Sequence, residues 1–206
     1  MKNVKRNVSI LICINIILGY LIFNSINSEI EFQKVAKERI NENIQKLKDL
    51  RQVQIAYKKV YNKYADNFDS LFYFLNNDSI PIIKAIGETP DSLTESEALQ
   101  LNIISRDTGY VLAKKNVFDK NYINTRNPDF PLDISNLKKV PYSNKDYKIN
   151  SGVVEKGKVL VHVFEISTNY RTLFTGLDAE NKKYGLDNFL KVGSMEEASL
   201  NGNWGE

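Results

Sequence analysis

Chemistry at neutral pH draws on histidine, cysteine or paired carboxylates, and this chain of 206 residues has one histidine, His162, and one cysteine, Cys13. His162 lies in Lys158-Val-Leu-Val-His-Val-Phe-Glu-Ile-Ser167, whose residue types read as a strand. A Ser-His-Asp triad would therefore have to be built on a strand residue, and His162 is read as an ordinary member of that strand. A zinc site would need mostly carboxylates, since there is no second histidine. The acid pairs Glu95 with Glu97 and Glu196 with Glu197 fall in the first turns of expected helices, where the macrodipole favours acids without chemistry. No phosphate-cradling glycine loop, nucleophile elbow or HExxH helix is present. Carboxylate-only hydrolysis is the one enzymatic route left open. The expectation is a non-enzymatic protein with no cofactor and no metal.

The elements that could position anything begin with Val8 to Ile26, VSILICINIILGYLIFNSI, a run without Asp, Glu, Lys, Arg or Pro. At 1.5 Å per residue it covers roughly 28 Å, close to the hydrocarbon thickness of a bilayer. Lys2, Lys5 and Arg6 precede it and Glu29 and Glu31 follow it. The positive-inside bias then places residues 1–7 in the cytoplasm, 8–26 in the membrane as a signal anchor, and the rest outside. For a bacterial chain the expected location is the inner membrane, single-pass, with the C-terminal domain periplasmic.

Three rival readings of the run fail on residue types. A cleaved secretory signal wants a shorter apolar region and a small-x-small site, which Phe23-Asn-Ser-Ile-Asn-Ser28 does not offer. A lipoprotein signal wants a small residue before its cysteine, and Ile12 precedes Cys13 in mid-run, so Cys13 reads as an inert thiol. A pilin leader is cut after a glycine and carries an early glutamate, whereas Gly19 lies deep in the span and the first acid is Glu29. Within the span Asn15 and Gly19 are four apart and share a face, so an amide and a close-approach glycine could pair with another transmembrane helix.

Beyond the anchor, 42% hydrophobic content supports one modest domain. The +3 formal charge comes from 28 basic and 25 acidic residues, and without Lys2, Lys5 and Arg6 the balance is 25 against 25. A neutral ectodomain speaks against a nucleic-acid partner. Residues 28–64 lack Gly and Pro and place apolar residues at Ile40, Ile44, Leu47, Leu50, Val53, Tyr57, Tyr61 and Tyr64, which predicts one long helix. Its first half is charged around most of its circumference and is expected to stand as a solvated stalk below a domain over 65–206. Heptad alignment gives a seam interrupted by Asn43 and Gln54, to be covered by a second copy in a coiled coil or by the chain's own domain.

After a turn at 62–67, Asp66 or Asn67 is expected to cap a helix carrying Phe68, Leu71, Phe72 and Leu75. Pro81, Gly87 and Pro90 predict a connection with at most a short extended piece at 80–86. Thr94-Glu-Ser-Glu97 predicts a capping box, 105–118 a strand with Thr108, Tyr110 and Leu112 on one face, and 121–142 mostly irregular chain. The region 147–167 predicts a β-hairpin turning at Lys156-Gly157. Ser194-Met-Glu-Glu197 predicts a further helix start. The fold class is α+β: a transmembrane helix continuing into a long amphipathic helix, then a small mixed domain with an antiparallel sheet and short helices.

Arg51, Gln54, Tyr57, Lys58, Tyr64, Phe68 and Leu71, with Arg106-Asp-Thr108, Lys191-Val-Gly-Ser-Met-Glu-Glu-Ala198 and Asn203-Trp204, form a pattern that resembles a family of uncharacterised single-pass membrane proteins of Bacteroidota. The resemblance covers nearly the whole chain. It implies a shared fold and topology and supplies no activity, cofactor or catalytic residue. The element from Ala56-Tyr-Lys to Phe68-Asp-Ser-Leu71 also resembles the way pilin-type helices join their globular heads.

Taken together, the residues point first to a structural or assembly subunit of an envelope complex, with the lipid bilayer and a protein partner or second copy as its contacts. A tethered module for a peptide, glycan or small ligand is the alternative, with Tyr110, Tyr122, Tyr142, Tyr170 and Trp204 as candidate partner contacts. Trp204 could equally anchor the C-terminal end to the domain.

Overall fold

A computed structural model describes residues 2–180, 182 and 184–205, with side chains at all of these except 2–9, 84, 85 and 106. The side chains of the basic flank Lys2, Lys5 and Arg6 thus lie outside the described residues. The architecture is α+β. One helix, α1, runs unbroken from Lys2 to Tyr61, and a head of short helices and two antiparallel sheets is built around its second half.

Nothing interrupts α1 because neither Pro nor a mid-helix Gly cluster occurs in it. It ends where Asn62 turns left-handed, with φ 56°, and donates its backbone N–H to Lys58 O. Its two halves differ in surroundings. From Ile10 to Ile26 the large apolar side chains are exposed. From Phe32 onward one face is sealed by the head: Ala36, Leu47 and Leu50 are fully buried, and Val53, Ala56 and Tyr57 nearly so.

The expected stalk is therefore absent as a free element. Charged and amide residues made this segment look solvated, but several of them point inward and are met there. Asn43, Gln45, Asp49 and Gln54 are all buried. The Tyr147 hydroxyl donates to Asn43 Oδ1, and Gln54 exchanges two 2.9 Å bonds with the backbone of Ala65. The residues that interrupt the heptad seam thus key it to this chain's own head. Leu47, Leu50, Tyr57 and Tyr64 are buried in the same core, which leaves that stripe no room for a second helix.

The turn after α1 leads to α2 (Phe68–Asn77), capped by Asn67, whose side chain accepts from Ser70 N. Strand β1 (Ser79–Ile86) pairs antiparallel with β2 (Ser105–Leu112), and α3 (Glu95–Gln100) lies between them, opened by the expected Thr94–Glu97 capping box. The connection read at 80–86 is thus a full strand, its Pro81 tolerated because the ribbon has only two strands and β1 is an edge. Two short helices follow, α4 (Ala113–Val117) and α5 (Lys120–Thr125), the second falling in a region read as mostly irregular.

The second sheet has the order β3-β4-β5, from Lys148–Lys156, Val159–Asn169 and Phe189–Gly193, with α6 (Tyr170–Leu173) after β4. Hairpin β3–β4 turns on Gly157 and Lys158, one residue later than expected, both at positive φ (57° and 67°) as a two-residue type I′ turn requires. Phe164, Ile166, Leu190 and Val192 from this sheet join the α1 core. No helix starts at Ser194. Its hydroxyl accepts from Glu196 N and Glu197 N in a local turn, and the chain from Asn201 instead bonds along the free edge of β5. Gly193, at φ 76°, lets this happen, since a Cβ there would lie 2.2 Å from Phe164 O.

Candidate functional site

The residues with most chemistry in them are buried in a network that holds the head to α1. Asp49, 1% exposed at its side chain, accepts two 2.9 Å bonds from the Arg126 guanidinium, a third from the Tyr122 hydroxyl at 2.8 Å and a fourth from Gln45 Nε2 at 3.1 Å. Gln45 in turn accepts from Asn127 N. Burial, then the Asp49 charge, pushes the Tyr122 hydroxyl pKa far above its ordinary value. Every partner in the network is another network member or backbone, so the carboxylate is consumed in fastening α5 to α1.

His162 borders a small cleft of about 240 Å³ with Lys58, Tyr64 and Ser199 among its lining residues, which include no carboxylate. The orienting acid that a triad needs is not supplied there. Glu95 and Glu97 stand exposed on α3, with Glu97 Oε2 accepting from Thr94 N, and Glu196 and Glu197 stand in the Ser194 turn. Among the described residues no group of three or more His, Cys, Asp or Glu is placed to hold a metal ion.

The five aromatic candidates do not converge. Tyr122 is spent on Asp49. Tyr142, at a left-handed φ of 60°, lies under Arg39, whose guanidinium carbon sits 4.4 Å from the ring centroid while Arg39 Nη1 donates to Leu173 O and Thr175 O. Tyr170 packs against Phe174 and Tyr184. Trp204 is half-buried and packs on the core. Tyr110 is presented outward at 73% exposure and Tyr142 at 54%, on separate elements. In the span, Asn15 Nδ2 donates to Leu11 O and nothing lies within 4 Å of the space a Cβ on Gly19 would occupy, so this face is uncovered in the single chain.

Tyr110 belongs to an arm formed by the β1–β2 ribbon. Ile80 is buried where the ribbon leaves the head, whereas Ile83 and Ile86 further along β1 are 62% and 57% exposed. Beyond them Ala98 and Ile104 are buried but stand outside the main core, a small cluster that closes the arm's tip on itself. The register pairs Pro81 with Tyr110, Ile83 with Thr108 and Ser79 with Leu112, so Pro81, Ile83, Tyr110 and Leu112 share one face. On that face Pro81, Ile83, Thr108, Tyr110 and Leu112 are exposed, and among the described residues both ribbon edges are free of further strands. Leu112 also lines a cleft of about 500 Å³ with Leu75, Phe118, Ile123, Leu132 and Ile134, where Lys114 and Lys115 stand exposed. Leu112 is shared by the arm's face and this cleft.

Residue chemistry had singled out Tyr110 in this region and missed the rest. Ile83 falls outside the alternation of Ile80, Ile82 and Ile86, so no local pattern points to it. No family model, no curated protein and no solved structure matches this chain.

Proposed function

We propose that this chain is a non-enzymatic, single-pass membrane protein that acts as a structural or assembly subunit of an envelope complex and docks its partner on the β1–β2 arm. The observation that carries the reading is the arm itself: a ribbon with an exposed apolar face, two unpaired edges and an apolar cleft at its root. Contiguous apolar surface of this kind marks interaction sites, and open strand edges are templates for an added strand. The partner segment it suits is extended and apolar, with an acid to meet Lys114 or Lys115.

Localisation follows the sequence asymmetry. Lys2, Lys5 and Arg6 before the span and acids after it favour an N-terminus in the cytoplasm and a head on the far side, in the periplasm if the membrane is a bacterial inner membrane. The exposed apolar half of α1, long enough to cross a bilayer, supports the membrane part of this reading. The scatter of Tyr110, Tyr122, Tyr142, Tyr170 and Trp204 over separate elements favours a docking face over an aromatic-lined ligand pocket.

The test is extraction in mild detergent followed by sizing. The full chain is expected in an assembly larger than its own monomer, and Ile83→Asp with Tyr110→Asp is expected to release it as a folded monomer. A strictly monomeric wild-type chain, or an assembly indifferent to both substitutions, would overturn the proposal.

A further inference from the structure

The head holds α1 far lower than a stalked domain would. Lys182 Nζ bonds Glu29 Oε2 at 2.7 Å and stands 5.2 Å from the centroid of the Phe32 ring. The Tyr184 hydroxyl donates to Gln33 Oε1 at 3.0 Å. The last apolar residue of the span is Ile26. Along the helix Glu29 is three residues above it and Gln33 seven, which is about 4.5 Å and 10.5 Å at 1.5 Å per residue. The polar headgroup layer outside a ~30 Å hydrocarbon core is roughly 5–8 Å thick on each side. The contacts at Glu29, and the loop that makes them, therefore fall at headgroup depth whenever the span is centred in hydrocarbon.

From this geometry we infer that the head rests on the membrane surface, with the loop carrying Lys182 and Tyr184 as its foot among the lipid headgroups. The inference rests on the membrane reading of the span and adds to it where the head stands. Three further features fit. The half-buried Tyr184, packed on the buried Phe32 and Phe174, gives this loop an amphipathic aromatic of the kind that gathers at membrane interfaces. Lys182, paired with Glu29, holds an ammonium of the same loop at headgroup depth. An open groove of about 830 Å³ lies against the helix here, with Ser25 and Ile26 at its lower end and Ser28, Glu29, Gln33 and Lys182 above them, polar where a headgroup would sit. The occupant is the zwitterionic lipid around the span: Glu29 and Lys182 are ion-paired and sum to no net charge, which suits a net-neutral phosphocholine or phosphoethanolamine better than a net anion.

Seating the foot also fixes the far end. Tyr61, hydrogen-bonded to Asp78 beside the arm's root, is 35 residues above Ile26, so the root stands about 52 Å along the helix from the hydrocarbon edge. Foot and docking arm are at opposite ends of the head.

The test uses the full chain with Cys13→Ser, so that single cysteines can be spin-labelled, in nanodiscs of phosphatidylcholine. Labels at Lys182→Cys and at the neighbouring exposed Asp178→Cys are compared with Phe23→Cys and Asp66→Cys by collision with oxygen and with a water-soluble nickel chelate. Expected is a Phe23 label in hydrocarbon, an Asp66 label fully aqueous, and loop labels shielded from nickel at least threefold relative to Asp66. If Phe23 is in hydrocarbon but both loop labels are as aqueous as Asp66, the foot is wrong while the anchor stands. If the Phe23 label is itself aqueous, the membrane reading fails and the inference with it.

Discussion

Replacing Asp49 by Asn tests whether the buried network is what clamps the head to α1. The substitution keeps shape and one acceptor but removes the charge that two Arg126 nitrogens meet at 2.9 Å, and it leaves a guanidinium only 7% exposed without a counter-charge. Breaking a buried pair from one side costs about 3–5 kcal/mol, because the surviving ion is stranded. For a protein of this size each kcal/mol moves the melting midpoint by roughly 2–4 °C, so a drop of about 6–20 °C is expected. The assay is thermal unfolding of the full chain in detergent micelles followed by near-ultraviolet circular dichroism. That signal reports tyrosine packing in the head and is insensitive to helix retained in the span. Asp49→Leu combined with Arg126→Met, which removes both charges, should recover much of the loss. A loss below about 1 kcal/mol for Asp49→Asn, or a double variant no better than the single one, would refute the clamp.

Other expectations follow from single contacts. Gln54→Ala removes both bonds to the Ala65 backbone and leaves a buried N–H and C=O unmet, and should cost about 2–4 kcal/mol in the same melt. Gly193→Ala should destabilise the β4–β5 pairing and accelerate amide exchange there, because its Cβ would meet Phe164 O at 2.2 Å; wild-type exchange rates would contradict this. Alkaline pH should unfold the head. Burial holds the Tyr147 hydroxyl pKa well above its ordinary 10.0, and a hydrogen bond to Asp78 pushes Tyr61 up to about 12. Above pH 10 the unfolded chain releases these protons and the folded one retains them, so stability is fully present below pH 10 and falls as pH rises. Tyr147→Phe should flatten that fall, and an unchanged slope would count against it. Ile83→Asp, on the exposed arm, should shift the melt by no more than about 0.5 kcal/mol, so that any loss of assembly reflects docking.

Local signals in the sequence were reliable where the structure satisfies them locally. The Asn67 cap, the Thr94–Glu97 box and the 147–167 hairpin depend on neighbours a few residues away, and all three are present. The failures share a cause, which is a partner distant in sequence. Lys46 looked like a solvated stalk residue, yet its ammonium donates to the carbonyls of Asn136 and Lys139 at 2.8 Å. Arg39 is held by Leu173 and Thr175. Ser194-Met-Glu-Glu197 has the letters of a helix start, but the chain beyond it is drawn onto the edge of β5, where Gly193 N donates to Asn201 O and Asn203 N to Lys191 O. Of the proposed docking face, Tyr110 was legible as an aromatic on an alternating strand. The face it shares with Pro81 and Ile83 exists only once the register is set.

Crossing of the membrane with the head outside is checked most directly by labelling with a membrane-impermeant maleimide in spheroplasts of a bacterial host. In the Cys13→Ser background, Asp91→Cys on the exposed arm should label in intact spheroplasts, and Asn3→Cys should label only after lysis. Labelling of Asn3→Cys in intact spheroplasts, or protection of Asp91→Cys until lysis, would contradict the topology on which both the docking arm and the membrane foot depend.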